Sequence, residues 1–257
     1  MRKAGGKLKE KKIPDEFDFE NVSVECGLDE NLRNIKNILG NTSDLLISPI
    51  TICGVRAAVV CFEGMVSGLS IAHMVVRPLM GISIPDCTGE KLFAHIRDNM
   101  ILSVDTAVKD RYGDIIRMLM SGFAAVFVDT QPRAICCGIQ GYDKRGVEEP
   151  SSEGNIRGSH EGFVETVRTN MSLVRRRMKT PLLRFELFPI SPRSNTDVIV
   201  CYMSDRVPAA MVRSIKKKLK NIELETILGS GYVEPFLAGR KPSVFSGLSI
   251  TERPDVM

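Results

Sequence analysis

Histidine and cysteine are the residues of this chain best suited to metal binding or nucleophilic chemistry, and neither set has a catalytic spacing. His73, His95 and His160 lie far apart, and none belongs to an HExxH motif. The chain has no GxSxG sequence, and no cysteine has a histidine near it in sequence. We therefore expect no metal, no cofactor and no enzyme activity. A hydrolase-like site assembled from distant residues is the alternative.

Glycine-rich turns could bind phosphate through backbone amides, but the chain has no P-loop, which needs a lysine and a hydroxyl residue after its glycines. Gly229 and Gly231 precede a short helical pattern in ILGSGYVEPF. That segment lacks the third glycine of a dinucleotide-binding motif and follows no convincing strand. A nucleotide site is therefore disfavoured.

The seven cysteines form no CxxC motif, and their number is odd. This pattern is typical of reduced, buried thiols in a cytosolic compartment. In the strand-like run RAICCGI, alternation predicts that Cys136 and Cys137 point to opposite faces of a sheet.

Charge is unevenly distributed along the 257 residues, whose formal net charge is +4. The first twelve residues contain six basic residues and one acidic residue, a net +5, so the remainder carries −1. A basic globular surface is typical of nucleic-acid binding, which this distribution disfavours. We interpret the tail as a solvated, disordered extension, with a contact to anionic lipid or phosphate as the alternative. The chain shows no secretory signal and no membrane span.

The stretch from Gly146 to Thr180 combines a polar loop with a helical pattern that ends in three arginines. Apolar residues recur at helical spacing through EGFVETVRTNMSLVRRRM, which predicts a long amphipathic helix. Acidic residues at its start and basic residues at its end suit the helix dipole. The spacing also places Arg168, Ser172, Arg175 and Lys179 along one exposed stripe.

The polar loop has no apolar anchors, so we expect it to be ordered by ion pairs with that helix, the other lobe or a neighbouring subunit. Replacing Arg157 and Glu149 by alanine should then spare stability but impair assembly or signalling. The candidate interaction residues are Arg145, Glu148, Glu149, Glu153, Arg157, Glu161, Arg168, Arg175, Arg176 and Arg177.

Helical and strand patterns alternate on both sides of this polar segment. The fold class we predict is α/β, with two small lobes, each a mixed sheet flanked by helices, joined by a polar linker and a long helix. LDENLRNIKNILG predicts a helix capped by Asp29, and DLLISPITI with RAAVVCFEG predicts a hairpin. The expected divisions are a basic tail and lead-in at 1–27, lobe 1 at 28–140, linker and bridging helix at 141–180, and lobe 2 with a junction at 181–257.

Several motifs occur in an order that resembles one known family. They are KRGVEEPSSEGNIRGSHEGFVETVRTNMSLVRRRM, then LGSGYVEPF, then TERPD at Thr251 to Asp255. DIIRMLMSG with its following strand adds to the likeness. Together these segments resemble the spore germination protein GerA family, specifically the A subunit of nutrient germinant receptors.

The resemblance implies a non-enzymatic receptor subunit that acts with B and C subunits and other A subunits. In that family, TERPD lies just ahead of membrane-spanning helices, which this chain does not include. The chain is therefore expected to be the cytosolic domain of a protein of the spore inner membrane, serving assembly and signal transmission. A small-molecule-binding module, with its ligand in the cleft between the lobes, is the competing hypothesis.

Overall fold

The computed structural model describes residues 19–99, 103, 105–141, 161–238 and 247–257. Within these residues the strands are β1 Leu45–Ile52, β2 Val55–Phe62, β3 Thr106–Lys109, β4 Phe123–Val128, β5 Ala134–Gly138, β6 Leu183–Ile190 and β7 Thr196–Met203. The α-helices are α1 Leu28–Leu39, α2 Gly68–Ser70, α3 Arg77–Met80, α4 Gly89–Asn99, α5 Tyr112–Leu119, α6 Val167–Arg177, α7 Ala209–Lys220 and α8 Glu234–Leu237.

The strands form two sheets, which we use to define two lobes. Lobe 1 is the five-stranded sheet, in the order β1-β2-β4-β5-β3, with α1 to α5. Lobe 2 is the hairpin β6-β7 with α7 and α8, and α6 lies between the lobes in sequence. The α/β class with two sheets and flanking helices is confirmed. Mixed sheets were expected, whereas all the strand pairs described are antiparallel, consistent with the short hairpin connections that join most of them. The domain boundaries stay a prediction.

Lobe 1 is stabilised by apolar cores on both faces of its sheet. Ala58, Val60 and Phe62 of β2 face α1 and α5, and the alternate residues of β2 face α3 and α4. Cys136 and Cys137 are both buried and belong to opposite cores, as their alternation along a strand predicts. Burial on both faces explains why the central strands β4 and β5 consist of apolar residues, cysteine and glycine.

The start of α1 differs from the prediction. Gly27, rather than Asp29, is the residue before the first helical turn. The backbone amide of Leu28 instead donates to Asp129 Oδ1 at 2.9 Å, from the turn after β4. This bond holds the pKa of Asp129 below its ordinary value, and burial of the carboxyl opposes the shift. The helix ends at Gly40, as predicted.

The helical run after β2 is irregular. Residues Ile71–Val76 form a π-helical segment between α2 and α3, and Pro78 lies inside α3 rather than ending the helix. Pro78 lacks an amide hydrogen and cannot continue the regular ladder of helical hydrogen bonds, which agrees with the irregular geometry of this run. Val75 and Leu79 of this run are buried against the sheet.

The two faces of the lobe 2 hairpin pack against different helices. On one face, Phe185 and Leu183 of β6 contact Met171 and Val174 of α6. On the other, Ile190 packs with residues of α7 and of the segment that leads to α8. A two-stranded hairpin alone is marginally stable, so α6 and α7 complete this lobe.

Candidate functional site

Arg175 of α6 is the centre of the most unusual charged site in the described residues. Its side chain is fully buried, with 0% of its surface exposed. The guanidinium binds Asp44 through two hydrogen bonds, Nε to Oδ2 at 2.8 Å and Nη2 to Oδ1 at 3.1 Å. Asp44 is equally buried. A two-point arginine–carboxylate pair that is buried has strong directional preference, so it fixes how its two segments meet.

The rest of the guanidinium is also satisfied. Arg175 Nη1 donates to the Thr180 carbonyl at 3.1 Å, and Nη2 donates to the Leu183 carbonyl at 3.2 Å. The rings of Phe62 and Phe185 lie 4.8 and 4.9 Å from its central carbon. One side chain thus contacts β2 of lobe 1, β6 of lobe 2 and the residues after α6. We call Arg175 with Asp44 the buried clamp.

Asp44 is positioned by the short connection between α1 and β1. Thr42 Oγ1 donates to Asp44 Oδ1 at 2.6 Å and accepts from the Phe185 amide at 3.0 Å. The Ser43 amide donates to the Phe185 carbonyl at 2.9 Å. The connection is therefore bound to β6 by one backbone hydrogen bond and by the Thr42 hydroxyl, and it brings both lobes to the clamp.

A second arginine reinforces this contact between the lobes. Arg184 of β6 donates from Nη2 to the Ile38 carbonyl of α1 at 3.0 Å and lies directly over Gly40. Burial lowers the pKa of Arg184, and the nearby charge of Arg175 lowers it further. The last carbonyls of a helix attract cations, so the end of α1 is a favourable place for this side chain.

The first half of α6 lies against the turn that follows β2. Arg168 forms an ion pair with Glu63 that is largely solvent-exposed. Gly64, with φ of +73°, lies so close that an added Cβ would be 2.6 Å from Ser172 Cβ. Ser172 is itself buried. The helix is therefore docked tightly onto lobe 1 at two of its turns.

The end of α6 joins a third region, the C-terminal segment 247–257. Arg177 Nη2 and Arg176 Nη2 both donate to Glu161, at 2.6 and 3.2 Å. Two residues on, the Phe163 amide donates to the Glu252 carbonyl at 2.6 Å. The backbone ahead of α6 thus pairs with the C-terminal segment.

Within that C-terminal segment, one residue is buried and two others form an ion pair with each other. Pro254 is buried, and Arg253 binds Asp255 at 2.7 Å. The Arg253 hydrogen bond is the main reason that the pKa of Asp255 is below its ordinary value, and the charge of Arg177 contributes. We call the group around Glu161, Phe163, Arg177, Arg253 and Asp255 the junction cluster.

Two expectations about α6 are wrong. The helix begins at Val167, so Glu161 and Glu165 precede it, because the Phe163 amide bonds to the Glu252 carbonyl of the C-terminal segment instead of taking part in a helix. Asn170 stabilises this extended entry by two hydrogen bonds with the backbone of Val164. The prediction that Arg168, Ser172, Arg175 and Lys179 form one exposed stripe is also wrong, because Ser172 and Arg175 are buried against lobe 1.

The structure brings together half of the candidate interaction residues. Glu161, Arg168, Arg175, Arg176 and Arg177 all contact other parts of the chain, as described above. Their role in contacts with partners stays a prediction. No motif in the sequence points to Asp44 or Glu63, which accept hydrogen bonds from distant residues and lie next to the ends of β1 and β2. The other candidates, Arg145, Glu148, Glu149, Glu153 and Arg157, lie outside the described residues, as does His160.

The described residues contain no group of three or more potential metal ligands. All seven cysteines are free thiols. Burial raises the pKa of Cys136 and of Cys137 to about 12 and that of Cys61 to about 11. At mildly alkaline pH these three thiols therefore stay protonated.

This burial predicts a clear order of thiol labelling. In the native protein at mildly alkaline pH, iodoacetamide should modify the exposed Cys26 first and leave Cys136 and Cys137 unmodified. Mass spectrometry of digested samples taken over time measures the order. All seven should react in denaturant, and early native labelling of Cys136 would contradict the core assignment.

Two depressions of about 440 and 280 Å³ mark the surface of lobe 1. The larger lies beside β3 and α5 and is lined by Lys109, Asp114 and Arg117 among others. The smaller lies beside the connection that holds Asp44. Both are lined by lobe 1 residues only, so neither supports the hypothesis of a ligand between the lobes.

Among the helices in the described ranges, none combines the length and the apolar content needed to cross a bilayer. Fold and site together define a two-lobed α/β domain whose central charged groups hold its parts to one another. Comparison with known proteins identifies the group to which it belongs. The chain is a member of the GerA family, since the family model described as Bacillus/Clostridium GerA spore germination protein matches residues 33–257.

Individual relatives agree with this assignment. The crystal structure of the N-terminal domain of the A subunit of the Bacillus megaterium spore germinant receptor GerK3 matches with a TM-score of 0.66 and 30% identity, covering 91% of this chain and 87% of that one. Spore germination protein KA of Bacillus subtilis is 28% identical over 92% of this chain and 44% of its own length. The membrane protein YfkQ of the same organism is 31% identical over 93% and 46%. The chain thus spans about half the length of these curated relatives.

Proposed function

We propose that this domain serves assembly and signal transmission in a spore germinant receptor, as part of its A subunit. The observation that carries the proposal is the central position of α6. The buried clamp joins α6 to both lobes, and the junction cluster joins the same helix to the C-terminal segment. The similarity to the GerK3 A-subunit domain supplies the biological setting.

The physical basis is that α6 cannot shift freely against lobe 1. Such a shift would separate Arg175 from Asp44 and leave two charges buried without partners, which costs several kcal/mol. A displacement of the C-terminal segment would act on Glu161 and Phe163 and so reach α6. Tightly packed elements of this kind move together or change between discrete arrangements.

The partners in this proposal are the B and C subunits of the receptor and other A subunits. The full protein would reside in the spore inner membrane, with this domain on the cytosolic side. A conformational signal would be transmitted between this domain and the membrane through the junction cluster at its C-terminal segment. No enzyme chemistry enters the proposal, because the charged groups at its centre are occupied in holding the fold together.

An Asp255→Arg variant tests this coupling. It replaces the partner of Arg253 by a cation beside Arg177, so repulsion should release the C-terminal segment from α6. In the domain studied by itself, the Phe163 amide should then exchange its hydrogen faster while the amides of β4 keep their rates. In spores that carry the full-length A subunit, the germination response should fall although receptor abundance is maintained.

Asp98→Arg is the matched control, since Asp98 also pairs with an adjacent arginine, Arg97, but lies on α4 away from the junction. It should change neither the Phe163 exchange rate nor germination. A normal germination response in Asp255→Arg spores whose Phe163 amide exchanges faster would refute the proposed role of the junction.

A further inference from the structure

All the charged residues of helix α7 in lobe 2 are basic. Its twelve residues include five basic residues and no acidic one. Lys216 pairs with Glu186 of the sheet, whereas Lys217 and Lys220 are exposed. Between α7 and the end of α8 the chain also contains three glutamates, so this region carries a net +2. One of them, Glu225, already pairs with Arg193.

Large apolar side chains are exposed on α7 itself and on the segment that leads into α8. Leu228 is 79% exposed, and Tyr232 and Phe236 are also open to solvent. Met211 is exposed at the start of α7. A cluster of several such residues around one short helix pair exceeds the scattered exposed apolar residues of an ordinary surface.

The exposed lysines of α7 and the exposed apolar residues of 228–236 belong to two elements in contact, which together we call the α7–α8 surface. Lys217 and Lys220 are three residues apart and are therefore neighbours on the exposed side of α7. Lys218 Nζ donates to the Leu237 carbonyl at 2.7 Å, so α7 and α8 are in contact at the residue next to Phe236. Beneath them Leu219 and Val233 belong to a shared core. Met211 and Lys218 are seven residues apart and therefore lie on the same side of α7.

We propose that the α7–α8 surface binds the anionic headgroup region of a lipid bilayer. Lysines over exposed leucine and aromatic side chains are the combination that places a helix in the membrane interface. The lysines would contact lipid phosphates, and Leu228 and Phe236 would enter the boundary of the acyl chains. Tyr232 has the amphipathic ring that favours this depth.

Charge and apolarity together favour lipid over the other partners. Nucleic acid would be bound through phosphate contacts, for which an exposed leucine offers little. Protein interfaces are depleted of lysine at their centres, whereas lysine here lies next to the apolar residues. A lipid interface uses both kinds of side chain at once.

Vesicle sedimentation with the full chain tests the proposal. The six basic residues between Arg2 and Lys12 are changed to glutamine in every protein compared, so that sedimentation reports the folded part. Vesicles of phosphatidylcholine with phosphatidylglycerol in equal parts should sediment the protein, and pure phosphatidylcholine should not. Lys217→Glu with Lys220→Glu should weaken binding roughly tenfold or more, since each lysine near an anionic surface contributes about 1 kcal/mol.

Two matched controls test whether binding depends on the α7–α8 surface rather than on overall charge or exposed apolar area. Arg33→Glu with Lys36→Glu makes the same charge change on α1 and should leave binding intact. Leu228→Ser should weaken binding, whereas Leu69→Ser, at an equally exposed leucine of lobe 1, should not. Thermal unfolding establishes that all variants are folded. Equal loss from both charge pairs, or no loss from Leu228→Ser, would reject the α7–α8 surface as a lipid site.

Discussion

Replacing Arg175 by alanine is expected to lower the free energy of unfolding by about 3 to 5 kcal/mol, the cost of leaving one member of a buried ion pair alone. Asp44 would stay in a site with no exposed surface and lose two charge-assisted hydrogen bonds. The contacts of the guanidinium with Phe62 and Phe185 would be lost as well. Urea unfolding followed by circular dichroism measures the change.

Arg168→Ala is the matched control because it removes an arginine of the same helix. The ion pair of Arg168 with Glu63 lies at the surface, so the free energy of unfolding should fall by only about 0 to 1 kcal/mol. Replacing both Arg175 and Asp44 by apolar residues, as in Arg175→Met with Asp44→Leu, should recover part of the stability lost by either change alone. An Arg175→Ala protein as stable as Arg168→Ala would show that the clamp contributes nothing to the fold.

Gly64→Ala is expected to be the second most damaging change. A residue with a side chain at φ of +73° costs about 1 to 2 kcal/mol in the left-handed region. The new Cβ would also meet Ser172 Cβ at 2.6 Å, and overpacking of this kind costs a further 1 to 3 kcal/mol or so. Since Ser172 belongs to α6, the variant should loosen that helix from lobe 1. Thermal and urea unfolding measure the total.

Gly54→Ala separates the two contributions to this effect. Gly54 has φ of +81°, but nothing lies within 4 Å of its would-be Cβ, so only the backbone cost applies. Ser172→Gly, made in the Gly64→Ala protein, removes the atom that clashes and should return at least part of the loss. If Gly64→Ala and Gly54→Ala destabilise the protein equally, then α6 is not packed against this turn as the structure shows.

The elements that the sequence predicted well are those determined by local pattern. The helical period of apolar residues predicted α1, and Gly40 predicted its end. Alternation along the strand predicted that Cys136 and Cys137 belong to opposite cores. The β1-β2 hairpin followed from two apolar runs around a short turn. In each case the residues that decide the structure are neighbours in sequence.

The site depends on contacts that are distant in sequence, and there the prediction was incomplete. Arg175 is followed by two more arginines, and spacing alone does not show which of the three is buried. Its acceptor Asp44 lies 131 residues away, in a connection with no recognisable motif. The start of α6 was predicted too early for the same reason. Phe163 fits the helical period, but its amide pairs with Glu252 instead.

The central claim is that α6 links the C-terminal segment to both lobes. Hydrogen exchange of the Arg175→Met domain, resolved by peptide mass spectrometry, measures this link directly. Peptides from α6 and from 247–257 should lose protection together and by more than β4 in the core of lobe 1, which loses only what the lower global stability accounts for. Protection of 247–257 that persists while α6 opens would contradict the claim, because the two segments would then be independent.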